Sequence, residues 1–547
     1  MAHVGKAIAE SLEAHGVSRT FIIPGESFLP VLDGIYDSSI HIVVCRQEGG
    51  AGYMAEAHAK ATGEPGVVMV TRGPGAANAF VAVHTAWQDA TPLVLFIGLI
   101  PLKDRDRESF QEFDPKAWFG TQAKQVFVID DPASASRVVA DAFFLARSGR
   151  PGPVIVGLPE DILYKEFSGI SYPPVPVSEG AVSAAQLARV RERLAAAKRP
   201  VIFAGGPGWD AQASEALAAF ATKNRIPVVH NFRTSDRIPY SSPANAGWLG
   251  VGRSDATAEL VDNADVVIQL GNLLTDAPSD GFTLRQGTDQ VNIAVTMDTE
   301  LRGKSGVITE HIVATPRQFI AELTSSGDLE GANARQEFFD RAHVEHLDYG
   351  EVIGKPWRPT PENTVHLEEV FAQLHKQVGE DGVFTYGAGN HCMWVQRYVR
   401  TERYPSLLGV GNGSMGYSIP AATAAALEFP DRTVVTIAGD GEYLMNGQEL
   451  ATAVQEGVAF LVVTVSNGQY ATIRDHQESH FPGRISGTQM DNPDFAEVAR
   501  SFGAYGELVT EDSQVAGAIE RALRVVRKDK VPALVNVIID QDLSAPS

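Results

Sequence analysis

Residues 434 to 467 read VVTIAGDGEYLMNGQELATAVQEGVAFLVVTVSN. A buried strand (VVTIA) runs into a glycine turn that carries an acid, Gly439-Asp440-Gly441. A helix is expected next, over about Asn446 to Glu456, and then a second buried strand (LVVTV) that ends in Ser466-Asn467. This is one βαβ unit, and its right-handed crossover brings both strand ends to the same edge of a parallel sheet. Asp440 and Asn467 should therefore lie side by side at the carboxyl edge, where open α/β sheets bind their ligands. A carboxylate, an amide oxygen and a neighbouring backbone carbonyl make a hard oxygen set for Mg2+, and a metal held this way keeps phosphate oxygens among its ligands. Gly441 lets the backbone turn tightly and come close to such a phosphate. A plain βαβ unit with a glycine turn would show the same stretch, so the other motifs of the chain bear on the choice.

The 547 residues are enough for about three domains. Apolar residues make up 44% of them, ample for α/β cores. Acidic residues outnumber basic ones by 67 to 45, a net charge of −22, which argues against a nucleic-acid backbone as partner. The two cysteines, Cys45 and Cys392, form no disulfide framework, as befits a reducing cytoplasm. The first residues read as an amphipathic helix rather than a signal peptide, and the longest apolar run, Pro92 to Leu102, is too short to span a membrane. A soluble cytoplasmic protein without a membrane partner is expected.

Strand patterns without alternation, each followed by a helix, predict α/β domains built on doubly wound parallel sheets covered on both faces. Three are expected. The first spans residues 1–170, with strands at Thr20 to Ile23, His41 to Cys45, Gly66 to Thr71 and Leu93 to Ile97. Its sheet edge carries the turn Pro24-Gly25-Glu26-Ser27 and a turn expected over Arg72 to Asn78. A proline-rich linker (Pro173, Pro174, Pro176) leads to the second, 182–325, with strands at Pro200 to Ala204, Ile226 to Val229, Asp265 to Ile268 and Gln290 to Ile293. A softer connection with Gly327, Gly331, Pro356, Pro359 and one polar helix precedes the third, 360–547, which holds the βαβ unit.

Glu48 stands just after a buried strand and beside two glycines. By position alone it is an acid at a helix start, stabilised by the helix dipole by a few tenths to about 1 kcal/mol. Gly411-Asn-Gly-Ser-Met-Gly416 has the form GxGxxG. A NAD-type reading fits it poorly, because the one strand that follows and ends in an acid ends in Asp440, which serves the better motif. Tyr386-Gly-Ala-Gly-Asn-His-Cys-Met-Trp394 follows another strand, and backbone donors at such a turn suit a diphosphate. His476 and His480 have the i, i+4 spacing of a zinc pair, without further ligand groups nearby. There is no Walker loop, CxxC or HExxH.

The GDG turn, the 24-residue spacer and the closing Asn467 resemble the thiamine diphosphate (ThDP) motif, which ends in Asn-Asn and here has Ser466 in the first place. CRQEGGAGYMAEAHAKATG resembles the segment that bears the activating glutamate of ThDP enzymes, and YGAGNHCMW resembles DVGQHQMW of acetolactate synthases. PGES, TRGPGAANA, SFQEFD and NPDFAEVARSFGA extend the likeness over essentially the whole chain. The chain thus resembles the acetolactate (acetohydroxyacid) synthase branch of ThDP enzymes, whose order is pyrimidine-binding, middle and diphosphate-binding domain. The resemblance implies Mg2+ on Asp440, Asn467 and the main-chain oxygen of Gln469, and proton exchange between Glu48 and the pyrimidine ring. It implies cofactor contacts from Asn78, Gly389, Asn390, His391, Gly413, Gly439, Gly441, Glu442 and Tyr470, with Met415 wedged between the two cofactor rings. Gly25, Glu26, Phe110, Gln111 and His476 fall on the substrate side. It further implies a homodimer or homotetramer with each site between two subunits, one supplying the glutamate and the other the metal.

The implied reaction decarboxylates a pyruvate-like 2-keto acid and joins the remaining fragment to an aldehyde or keto-acid acceptor. Alternatives are a simple 2-keto acid decarboxylase, a benzaldehyde lyase-type enzyme that cleaves 2-hydroxy ketones, and a silent ThDP-binding regulatory subunit. Retention of Glu48 together with Asp440 and Asn467 argues against the last. The sequence also departs from the biosynthetic synthases. His476 stands where they carry Trp, and Thr472 where they carry Met, which changes the acceptor that fits. Gly271-Asn-Leu-Leu-Thr-Asp-Ala277 replaces their Arg-Phe-Asp-Asp-Arg run near FAD, so FAD is left open but not expected, and no CoA or ADP site is visible.

Overall fold

The computed structural model describes residues 2–287, 289–300, 304–352, 357–543 and 545–546; Pro356 of the second connection lies outside them. Among the described residues the strands form three six-stranded sheets in which every pairing is parallel. The first holds β1 (Arg19–Ile22), β2 (His41–Val44), β3 (Gly66–Val70), β4 (Leu93–Leu99), β5 (Gln125–Val128) and β6 (Pro153–Pro159), in the order β2-β1-β3-β4-β6-β5. The second holds β7 (Pro200–Ala204), β8 (Val228–Asn231), β9 (Asn245–Leu249), β10 (Val266–Leu270), β11 (Val291–Val295) and β12 (Glu310–Ile312), in the order β12-β11-β10-β7-β8-β9. The third holds β13 (Val383–Tyr386), β14 (Leu407–Gly409), β15 (Val434–Gly439), β16 (Leu461–Ser466), β17 (Tyr505–Val509) and β18 (Ala533–Ile538), in the order β14-β13-β15-β16-β18-β17. The expected doubly wound α/β architecture is thus present three times.

The first and third sheets have one topology, and in each the chain reverses direction across the sheet between two neighbours, β1/β3 and β13/β15. Such switch points leave a crevice at the carboxyl edge. The inner strands are buried on both faces: β3, β4, β6, β7, β10 and β16 have no exposed residue. That is why their sequences are continuous apolar runs.

The two units meet through small residues. Helix Glu48–Thr62 (EGGAGYMAEAHAKAT) is buried along most of its length and packs on helix Pro74–Asp89 of its own unit and on helix Ser418–Glu428 (SIPAATAAALE) of the third. Ala51, Ala55 and Ala57 share one core with Ala421, Ala422, Ala424 and Ala425. Side chains this small let the helix axes come close, so the edges of the first and third sheets are fixed relative to each other within the chain. Cys45 and Cys392 are free and buried. Among the described residues no helix is long and apolar enough to cross a membrane.

Candidate active site at two sheet edges

At the switch point of the third sheet, the helix after β15 begins at Asp440 itself (Asp440–Asn446) and continues as a 3-10 turn, Gly447–Glu449, and a helix, Leu450–Glu456. The expected start near Asn446 was six residues late. Asp440 and Glu442 are the acids of the first turn, where the helix dipole favours them, and Gly447 marks the break read as a beginning.

Asp440 is buried, and its two oxygens are unlike. Oδ2 accepts the N–H of Gly468 (2.7 Å), the N–H of Asn467 (3.1 Å) and the amide of Asn492 (2.8 Å). Oδ1 accepts only the N–H of Gly441, at 2.8 Å, and keeps a lone pair. Burial pushes the carboxyl above its ordinary value, against the lowering pull of these four donors. A cation on Oδ1 would remove that cost. Asn467 Oδ1 accepts the N–H of Gln469 (3.2 Å), and the main-chain oxygen of Gln469 accepts the N–H of Ala471 (3.0 Å). The buried Oδ1 of Asn492 has no hydrogen-bond partner. One carboxylate among amide and carbonyl oxygens is a donor set that fits Mg2+. Among the described residues no three His, Cys, Asp or Glu side chains are grouped so as to hold a metal ion, around His476 and His480 or elsewhere.

Asn492 was not singled out from the sequence. Asn492→Ala removes one of the three donors on Oδ2 that fix the orientation of Asp440, and Mg2+ affinity should fall on the order of tenfold, the worth of a charged hydrogen bond. A Mg2+ titration read by tryptophan fluorescence checks this, and an unchanged affinity would free Asp440 from dependence on Asn492.

On the other side of the crevice, β13 leads into Gly387-Ala-Gly-Asn390 and helix His391–Tyr398. His391 is buried with Nε2 3.1 Å from the Glu442 carboxylate and 3.5 Å from Cys392 Sγ. Burial alone would lower its pKa, but Cys392 and Glu442 beside it push it up to about 10, which favours the charged form that suits a diphosphate. The close approach demands glycine. A Cβ on Gly387 would fall 1.8 Å from Glu442 Oε1, and one on Gly441 would fall 2.6 Å from the Tyr470 ring. Asn390 is fastened to helix Ala471–His480, donating to Asp475 (2.7 Å) and accepting from Thr472 (2.6 Å). His476 lies exposed on that helix.

The loop from Val410 to Gly416 joins β14 to helix Ser418–Glu428, with Gly413 at φ +69° and Met415 half-buried. Strand, glycine loop and helix are the surroundings of a dinucleotide motif. Here, however, β14 is an edge strand, and the Gly411 N–H is taken by Asp89 of the first unit.

The second cluster lies at the edge of the first sheet. Glu48 opens helix Glu48–Thr62, is half-buried, and accepts the amide of Asn78 at 2.9 Å. Asn78 is helical, because the segment expected as a turn over Arg72 to Asn78 enters helix Pro74–Asp89 at its second residue after Arg72, with proline at the first position. Arg72 pairs with Glu26 (2.7 Å) and Glu160 (3.3 Å), a fixed charge that was missed in the sequence. A Cβ on Gly25 would press on Thr71, and Gln111, at φ +64°, abuts Gly73, so both belong to this edge. Phe110 is 74% exposed next to it. Among the described residues no hydrogen bond or ion pair joins Glu48 to Asp440, Asn467, His391 or Met415. Within one chain the two clusters thus stand at the edges of different sheets.

The family profiles divide the chain in the same order. The thiamine pyrophosphate enzyme N-terminal TPP binding domain matches residues 2–118, the central domain 187–323, and the C-terminal TPP binding domain 387–537. The chain is 31% identical to the acetolactate synthase large subunit of Corynebacterium glutamicum, over 98% of this chain and 87% of that one. It is 30% identical to the acetolactate synthase isozyme 2 large subunit of Escherichia coli, over 98% and 95%. It is also 30% identical to the acetolactate synthase large subunit of Lactococcus lactis, over 98% and 92%. With an oxygen set for Mg2+ at one switch point and a glutamate at the edge of a sheet of the same topology, the chain belongs to the thiamine pyrophosphate enzyme family.

Proposed function

We propose that this protein is a ThDP- and Mg2+-dependent carboligase of the acetolactate synthase type. It takes a pyruvate-like 2-keto acid as donor and an aldehyde or second keto acid as acceptor. The observation that carries the reading is the orientation of Asp440, with Oδ2 filled by three donors, the Asn467 N–H among them, and Oδ1 accepting only the Gly441 N–H. Bound ThDP supplies a carbon nucleophile that adds to the keto carbon and holds the electrons left when CO2 departs. Asp440, Asn467 and the Gln469 carbonyl hold the metal. The charge on His391 and the glycine backbone at 387–389 and 439–441 neutralise and cradle the diphosphate. Glu48 holds and moves a proton at the pyrimidine ring nitrogen.

We infer a homodimer or homotetramer in which Glu48 of one subunit meets the metal half-site of another. In its support, Val81 next to Gly49, Leu444 and Met445 on the Asp440 helix, and Phe110 are large apolar side chains left exposed at the two half-sites. The test of the activity is a keto-acid panel with ThDP and Mg2+, following CO2 and identifying products. Acetolactate or acetoin from pyruvate supports the reading, whereas no CO2 release from any keto acid overturns it.

A simple decarboxylase or 2-hydroxy ketone lyase is favoured by one observation: the helix tied through Thr472 to Asn390 presents exposed His476 where biosynthetic synthases carry Trp. His476→Trp should narrow the acceptor pocket and shift products toward acetohydroxyacids, read by product ratios with pyruvate alone and with pyruvate plus an aldehyde. Unchanged ratios would place His476 away from the acceptor.

A further inference from the structure

The loop that carries Met415 has three glycines, Gly411, Gly413 and Gly416, and no regular structure of its own, so something outside it must set its height. A buried polar cluster of the first unit grips it. Lys60 Nζ lies 2.6 Å from Asp89 and 2.9 Å from Glu56, and donates to the Gly409 carbonyl at 2.7 Å. Asp89 accepts the N–H of Gly411 with both oxygens, at 3.0 Å each. Asn412 donates to Thr85 (3.1 Å), Ser414 shares a hydrogen bond with the Tyr53 hydroxyl, and Tyr417 donates to Glu56 (2.6 Å). Positions 409, 411, 412, 414 and 417 are thus held on both sides of Met415, all by helices Glu48–Thr62 and Pro74–Asp89. The side chains of Glu56 and Asp89 are 0% and 8% exposed. A buried ion pair returns its desolvation cost only through such geometry and added hydrogen bonds, and its best-attested use is to fix one arrangement.

We propose that Lys60 and Asp89 are positioning residues that hold the Met415 loop at the height where it supports the bent cofactor, so that the helix beginning at Glu48 also sets a loop of the other half-site. This rests on the role given to Met415. Asp89→Asn keeps one acceptor for Gly411 but gives up the charge that holds Lys60. ThDP at saturating Mg2+ should then bind on the order of tenfold more weakly, with a reduced near-ultraviolet circular dichroism signal from the bound cofactor. Lys60→Arg, which keeps the charge and the donors, should restore most of both in comparison with Lys60→Met. Tyr53→Phe removes only the hydroxyl that meets Ser414 and Thr85 and strands no charge, so it decides the matter if Asp89→Asn does not fold, and should weaken ThDP by about threefold. Thermal unfolding of the same proteins separates loss of fold from loss of loop position. Parental ThDP affinity and circular dichroism in Tyr53→Phe and in folded Asp89→Asn overturn the proposal. Met415→Ala is measured alongside. If it leaves the cofactor signal unchanged, the reading of the loop falls and the proposal with it. If it alters the signal while Asp89→Asn and Tyr53→Phe do not, only the positioning role falls.

Discussion

Glu48→Gln should keep ThDP bound and lose at least about 10²-fold in turnover, the lower range for a general acid–base step. The glutamine carbonyl can still accept the Asn78 amide that Glu48 accepts at 2.9 Å, and the helix that Glu48 opens keeps its Gln47 cap, so the geometry survives. What is lost is the ability to take up and return a proton at the pyrimidine nitrogen. The defect should therefore appear in kcat, with little change in the concentration of ThDP needed for saturation. Hydrogen–deuterium exchange at the thiazolium carbon of bound ThDP isolates the step: it should slow in parallel with turnover. Normal exchange in Glu48→Gln would remove Glu48 from the proton path and leave it the plain helix-start acid that its position alone suggests.

The parts of this site that could be read from the sequence are those fixed by chain connectivity. Asp440 and Asn467 end neighbouring parallel strands, β15 and β16, so one crossover rule places them together whatever the rest of the fold does. The buried strands show as apolar runs for the same local reason. Short strands at or near sheet edges do not: β9 (Asn245–Leu249), β12 (Glu310–Ile312) and β14 (Leu407–Gly409) are three to five residues long, and each pairs on one side only. Nor does the shared topology of the first and third sheets, because it is kept by packing and leaves no repeat in the residues. The Lys60–Asp89–Glu56 grip was illegible for a different reason. Its partners lie more than 300 residues away, and Glu56 and Lys60 at i, i+4 look like an ordinary solvent-exposed helix pair. The one local hint was their place on a helix whose other residues are mostly glycine, alanine and apolar ones, which leaves little solvated face to put them on. Glu449 hid likewise: its carboxylate accepts the N–H groups of Arg46 and Gln47, beside Glu48, at 3.0 and 2.9 Å.

Asp440→Ala should cost ThDP affinity on the order of a hundredfold or more, as expected when one partner of a buried, hydrogen-bonded charge pair is removed. The diphosphate would then lack the metal that balances it, and the added Mg2+ that rescues a weak site would not rescue this one. The fold should persist. β15 and β16 stay paired over five residues, and the replacement relieves the burial that pushes the Asp440 carboxyl upward. Far-ultraviolet circular dichroism of the parent and the variant checks the fold, and ThDP titration at limiting and saturating Mg2+ checks the site; parental affinity at limiting Mg2+ would mean that the GDG turn does not hold the metal. The same variant tests where the two half-sites meet. Within one chain Glu48 and Asp440 share no hydrogen bond or ion pair, so if subunits pair across the site, mixing Glu48→Gln with Asp440→Ala chains builds one site with both lesions and one with neither. Random exchange of dimers should then return about a quarter of parental activity from two inactive proteins, since half the dimers are mixed and half of their sites are whole. Mixtures shown to have exchanged subunits, yet still inactive, would instead require each chain to close its own first-sheet edge onto its own third.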